Sequence, residues 1–295
     1  MDTTGDTESL ELRLKDGRTL AYAIYGEPAG RPAFYFHGHP GSRLEGRFAD
    51  GPARRHGIKL IAPDRPGCGG SSDKPGRRIT DWPSNVEELA DGLGVRRFPV
   101  MGGSGGGPFA LACAWRLPDR VTAAGLVSAV APFSAPGATD GMRPFNKLAF
   151  MYLSRLPFLP ELIMKSMARK MRKDPDAVLE RFKSAMSAPD RRALDRPGVS
   201  DDFMAVIAEA LRNGTSGAAA ETRMLGRPWG FRMDEITVPV YLWQGTDDRL
   251  VPEAMGQYLA AAIPGCRATF VEGEGHLLFL TRIDEIILAM SPYRD

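Results

Sequence analysis

The sequence of 295 residues has little of what several classes of protein require. Its three cysteines, Cys68, Cys113 and Cys266, show no CxxC spacing, which argues against a disulfide framework or a zinc site. A formal net charge of +2 is too balanced for a nucleic-acid-binding protein. No apolar run approaches the ~18 residues of a membrane span, and the polar stretch 1–8 does not resemble a signal peptide. We therefore expect a cytoplasmic protein without a metal, an organic cofactor, nucleic acid or a membrane as partner.

What the chain does contain is an alternation of short apolar strands and helices. Alternating side chains on either side of Asp16-Gly17 predict an opening β-hairpin. Near-continuous apolar strands separated by helices are typical of a mostly parallel sheet with helices on both faces. Strands are predicted at 10–15, 20–25, 33–36, 59–62, 98–101, 123–127, 238–243 and 268–271, and helices at 86–93, 108–115 and 282–290.

One long stretch, 133–231, contains no convincing strand. Roughly a hundred residues are too many for a loop, so we predict a helical cap inserted into a core domain formed by 1–132 and 232–295. Its Met and Leu residues either line an acyl-binding pocket or fill the cap's own core. Helical patterns occur at 145–156, 162–171, 177–186, 203–211 and 217–225, with prolines between them.

Ser104 is the candidate nucleophile. It stands in Gly102-Gly103-Ser104-Gly105-Gly106, between the apolar strand 98–101 and the helix 108–115. Gly-x-Ser-x-Gly in that setting is typical of a reactive serine on a sharp strand-to-helix turn. Such a turn strains the serine backbone and leaves no room for side chains two residues away, which explains the flanking glycines.

A serine hydroxyl needs a base, and His276 is the first candidate. It follows the last strand in a glycine-rich loop, which places it at the edge of the sheet where Ser104 emerges. His39 is a distant second. The base in turn needs a carboxylate, and Asp247 and Asp248 follow the strand 238–243. We favour Asp248 and expect its neighbour to be a turn residue.

Backbone N–H groups of Gly105 and His39 are the candidate donors of an oxyanion hole. If His39 acts through its amide, its imidazole either touches substrate or packs the loop, and His37 is expected to support that loop from below. Trp229 and Phe231, where the cap returns to the core, either line the pocket or plug a hinge.

The order Ser104, Asp248, His276 is that of the α/β-hydrolases. The chain resembles the α/β-hydrolase superfamily over nearly its whole length, and more closely the bacterial group of esterases and proline iminopeptidase-like enzymes with a Gly-Gly-Ser elbow. The resemblance implies an eight-stranded sheet, a cap after the sixth strand and a serine–histidine–aspartate mechanism. The matching stretches are 37–41, 64–71, the serine elbow, 245–252 and 275–276.

The nucleophile and the residue after it limit which reactions of this superfamily we expect. Serine in place of aspartate excludes dehalogenase and epoxide hydrolase chemistry, and Gly105 stands where proline iminopeptidases carry a bulky aromatic residue. We therefore expect hydrolysis of an ester or lactone of a small, mainly apolar acyl substrate, by a chain that could form a homodimer. The alternatives are an aminopeptidase, a carbon–carbon hydrolase or lyase, and a ligand-binding protein of low turnover. For the peptidase, three cap residues could hold the substrate ammonium: Glu161, Glu209 and Glu221.

Overall fold

The computed structural model describes residues 9–289. The polar start 1–8 and the predicted last residue of the final helix, Met290, lie outside the described residues. Within the described chain there are eight strands, one for each predicted strand. They are β1 (Leu10–Arg13), β2 (Thr19–Gly26), β3 (Arg31–Phe36), β4 (Ile58–Pro63), β5 (Phe98–Gly103), β6 (Val121–Val127), β7 (Val240–Gly245) and β8 (Arg267–Val271).

The eight strands form one sheet in the order β1-β2-β4-β3-β5-β6-β7-β8. β2 runs antiparallel to both β1 and β4, and all other neighbours are parallel. The predicted mostly parallel sheet is confirmed. The helices are α1 (Asp50–Arg55), α2 (Trp82–Gly92), α3 (Gly107–Arg116), α4 (Pro144–Met151), α5 (Leu159–Lys173), α6 (Pro175–Ala185), α7 (Ala188–Leu194), α8 (Val199–Ala210), α9 (Ser216–Leu225), α10 (Glu253–Ala262) and α11 (Phe279–Ala289).

Helices cover both faces of the sheet because neighbouring strand residues point in opposite directions. On β3, Phe34 and Phe36 join the apolar cluster that contains Trp82 of α2. Tyr35, between them, packs on the other face, where its ring stacks on Phe279 of α11 with centroids 5.2 Å apart. Strands that are buried on both sides are therefore apolar along their whole length, as the sequence pattern indicates.

All six helices α4–α9 lie between β6 and β7, and we call residues 144–225 the helical segment. Five of them overlap the predicted helices, whereas α7 was not predicted. Met164 and Met171 pack with Ile207 in a cluster internal to the segment. The helical content of this stretch is thus confirmed, while the cap boundaries at 133 and 231 stay predictions.

Parallel strands bring the loops after their carboxyl ends to one edge of the sheet. The loop after β3 carries His39, the turn after β5 carries Ser104, and the loops after β7 and β8 carry Asp248 and His276. These four loops come from chain positions more than two hundred residues apart and meet under the helical segment.

Candidate active site

Ser104 lies at the sharp turn between β5 and α3 with a φ of +50°, a left-handed conformation that a serine rarely adopts. The turn is closed by contacts that only glycines allow. A Cβ on Gly102 would lie 2.4 Å from the Gly106 carbonyl oxygen, and one on Gly106 would lie 2.2 Å from that of Phe36. The strained elbow expected from the sequence is therefore present, with the serine at its apex.

The imidazole of His276 is oriented by Asp248. Its Nδ1 lies 2.8 Å from Asp248 Oδ2, and because a carboxylate only accepts hydrogen bonds, Nδ1 is the donor and Nε2 is left to take up a proton. The other oxygen, Asp248 Oδ1, accepts the amides of Leu250 at 2.9 Å and Val251 at 2.8 Å. Asp248 is buried and fixed by the loop, whereas Asp247 is exposed.

The charge around His276 favours its protonated form. Burial alone would lower the pKa of His276, but the Asp248 carboxylate, followed by Asp190 and Glu45, outweighs burial and raises this pKa above its usual value. The imidazole is thus a stronger base than a free histidine, which suits a group that takes a proton from a hydroxyl.

Ser104 and His276 line the same cavity, which has a volume of about 130 Å³. No hydrogen bond joins the two side chains directly within the described chain, and such contacts are often long before substrate binds. The helical segment supplies much of the apolar wall. Five residues of the segment face the cavity: Phe182, Met186, Phe203, Val206 and Ile207.

The His39 amide lies beside Gly105, because a Cβ on Gly105 would be 3.3 Å from His39 N. The imidazole of His39 turns toward α9, with Nδ1 3.2 Å from Glu221 Oε2 and Nε2 2.9 Å from Thr222 Oγ1. Both ring nitrogens are therefore engaged by the helical segment, which anchors the loop. His37 lies below, where its Nδ1 is 2.8 Å from the Gly38 carbonyl oxygen.

Other candidates from the sequence lie away from this cavity. Trp229 is buried beside Phe231, with ring centroids 6.0 Å apart, and is not part of the cavity lining. The three carboxylates considered for a substrate ammonium also have partners elsewhere. Glu161 accepts from Thr215, Glu209 binds Arg43 and Arg212, and Glu221 binds Arg65 and Arg77.

Two carboxylates near His276, those of Glu45 and Asp190, were not predicted from the sequence. Glu45, on a 3-10 helix after the His39 loop, lines the cavity and accepts from Tyr35 Oη at 2.5 Å and from Gly38 N at 2.9 Å. Asp190 of α7 accepts the Leu277 amide at 2.7 Å and so holds the His276 loop. No spacing rule points to either residue, because each reaches the site only through the tertiary fold.

The chain is similar to known proteins over most of its length. The model of the alpha/beta hydrolase fold family matches residues 34–283, and the chain belongs to that family. An uncharacterized hydrolase of Bacillus subtilis (strain 168), YcgS, is 26% identical over 278 residues, covering 90% of both chains. A pimeloyl-[acyl-carrier protein] methyl ester esterase of Aromatoleum aromaticum is 28% identical over 78% of this chain and 84% of its own.

Two further similarities cover almost the whole chain at lower sequence identity. A proline iminopeptidase of Lactobacillus helveticus is 23% identical over 95% of both chains. The crystal structure of a hydrolase from Pseudomonas aeruginosa PA01 superposes with a TM-score of 0.72 at 20% identity, covering 98% of this chain and 100% of that one. At that identity the likeness supports the fold.

The described residues show neither a metal-binding cluster nor a membrane-spanning helix. Between residues 9 and 289, no group of three or more His, Cys, Asp or Glu side chains is placed to hold a metal ion. No helix in the same range is both long and apolar enough to cross a membrane. The expectations of a cofactor-free reaction, a cytoplasmic location and a homodimer stay predictions.

Proposed function

We propose that the protein is a serine hydrolase that cleaves the ester or lactone bond of a small, mainly apolar substrate. The observation that carries the proposal is the pairing of His276 with Asp248 at the cavity into which the strained Ser104 projects. The esterase relative from Aromatoleum supports an acyl substrate.

In the proposed reaction, His276 Nε2 takes the proton of Ser104 while Oγ attacks the carbonyl carbon. The amides of Gly105 and His39 donate to the resulting oxyanion, each worth ~2.7–4 kcal/mol in comparable enzymes. His276 then protonates the leaving alcohol, which leaves an acyl-enzyme. Water activated by the same imidazole releases the acid and restores Ser104.

The cavity gives the first test of substrate size. A cavity of about 150 Å³ holds a benzene molecule, so 130 Å³ favours short acyl chains. We expect p-nitrophenyl esters from acetyl to about hexanoyl to be hydrolysed best and the dodecanoyl ester poorly, with no release from proline p-nitroanilide. Activity on the anilide alone would favour the aminopeptidase, and no activity on any of them would favour a lyase or a ligand-binding protein.

The pH dependence of kcat/KM tests the His276–Asp248 pair. Activity requires neutral His276, so its raised pKa places the midpoint of the acid limb above about 6.5, the usual histidine value. Asp248→Asn removes the negative charge that contributes most to raising the pKa of His276, so the midpoint of the acid limb should move to lower pH. The same variant should lower kcat about 10⁴-fold. The neighbouring Asp247→Ala is the matched control and should change neither. A larger loss in Asp247→Ala would show that the acid has been misassigned.

A further inference from the structure

The cavity contains one carboxylate, that of Glu45, which takes no part in the proton transfers of the proposed reaction. Glu45 is half-buried with its carboxylate at the cavity wall, beside the nucleophile. A methyl group added to Gly38 would lie 3.4 Å from Glu45 Oε2 and 3.6 Å from Ser104 Cβ, so one carbon atom there would touch both residues. A substrate group next to the scissile bond is therefore within reach of Glu45.

The remaining polar side chains of the cavity either take part in the proposed reaction or already have hydrogen-bond partners in the protein. The ring nitrogens of His39 contact Glu221 and Thr222. The Tyr35 hydroxyl donates to Glu45 and stays protonated, because burial, followed by the Glu45 charge, raises the pKa of Tyr35 well above its usual value. Against mostly apolar walls, Glu45 is the group left to recognise a polar feature of the substrate.

The hydrogen bonds that the Glu45 carboxylate accepts do not fill all of its acceptor sites. Tyr35 and Gly38 supply two donors, and a carboxylate offers about four acceptor sites. No lysine or arginine in the described part of the chain lies within ion-pair distance of it, and burial raises the pKa of Glu45 in spite of both donors and of the charges of Arg65 and protonated His276. A further donor would stabilise the charged form, and the cavity is where such a donor can arrive.

We propose that Glu45 binds a hydrogen-bond donor of the substrate, a hydroxyl or a protonated amine, next to the scissile bond. This inference rests on the proposed ester hydrolysis and narrows its substrate class. The preferred substrate is then a short apolar ester or lactone that carries a single hydroxyl or amino group.

The test uses isosteric esters. Propyl butanoate is compared with esters in which the terminal methyl of either chain is replaced by a hydroxyl or an ammonium group, and acid release is followed in a pH-stat. At least one donor ester should exceed propyl butanoate in kcat/KM by about tenfold or more, as expected for a hydrogen bond to a charged group. Equal or poorer turnover of every donor ester would overturn the proposal.

Variants of Glu45 and Tyr35 test which side chain causes the preference for the donor ester. Glu45→Leu should abolish the advantage of the donor ester over propyl butanoate when both are measured in that variant, and Glu45→Gln should keep an advantage for a hydroxyl but not for an ammonium group. Tyr35→Phe leaves the carboxylate in place and should keep the preference, and the surface variant Glu87→Gln should change nothing. A preference that survives in Glu45→Leu would assign the recognition elsewhere.

Binding separates this inference from the reaction. Calorimetric titration of Ser104→Ala protein with the same esters should show the donor ester binding about tenfold tighter or more, and the difference should vanish when Glu45→Leu is added. That result would uphold the Glu45 subsite even if the wild-type protein hydrolysed none of the esters. Equal affinities in the Ser104→Ala protein would reject the subsite even if ester hydrolysis were found.

Discussion

Replacing Ser104 by alanine is expected to lower kcat for p-nitrophenyl butyrate by about 10⁴–10⁶-fold, and His276→Ala is expected to do nearly the same. The two residues act on one proton transfer, since the imidazole has nothing to activate without the hydroxyl and the hydroxyl stays protonated without the imidazole. The double variant should therefore be barely slower than either single variant. Steady-state rates of the three variants, measured beside the wild type, check this expectation.

Ser128 offers a matched control. Like Ser104 it directly follows a strand, and its φ of +46° is as unusual as that of Ser104, but its side chain is buried. It does not line the cavity, so Ser128→Ala should retain most of the wild-type activity. Losses that simply multiplied in the Ser104 and His276 double variant would mean that the two side chains act independently, contrary to the proposed reaction.

Glu221→Ala is expected to lower the free energy of unfolding by about 3–5 kcal/mol. Glu221 Oε1 lies 2.6 Å from Arg65 Nε and 3.3 Å from Arg77 Nη2, and the side chains of Glu221 and Arg65 are fully buried. Alanine would leave Arg65 as a buried cation without its carboxylate, and would also free the imidazole of His39 from one of its two partners. Urea denaturation of the variant and the wild type measures the change.

The size of this effect comes from burial. Burial alone would raise the pKa of Glu221, but Arg65, followed by His39 and Arg77, outweighs it and holds that pKa well below its usual value. The stabilisation is therefore complete at neutral pH and is lost as pH falls below about 4.3, the ordinary Glu value.

Asp284 is the surface counterpart of Glu221, since it binds Arg55 and His56 while about half exposed. Asp284→Asn should cost less than about 1 kcal/mol, and an equally small loss in Glu221→Ala would contradict the prediction.

The strands and the elbow could be predicted because their signals are local. An apolar run such as 98–101 is buried on both faces wherever the sheet places it, and a serine between glycines identifies the turn that follows. Helix α7 was missed because its seven residues are too short to show an apolar period. Local patterns also left Asp247 and Asp248 both eligible, and only the loop conformation turned one of them to His276.

The sequence by itself determined the order of strands and helices, the helical segment after the sixth strand and the placement of Ser104 and His276 at one edge of the sheet, since periodicity and turn chemistry are properties of neighbouring residues. The tertiary structure alone decided what surrounds them. Glu221 meets His39 across 182 residues of chain, Asp190 holds the loop of His276, and Glu45 reaches the cavity beside Ser104. Such contacts depend on how distant elements pack, and no short stretch of sequence encodes them.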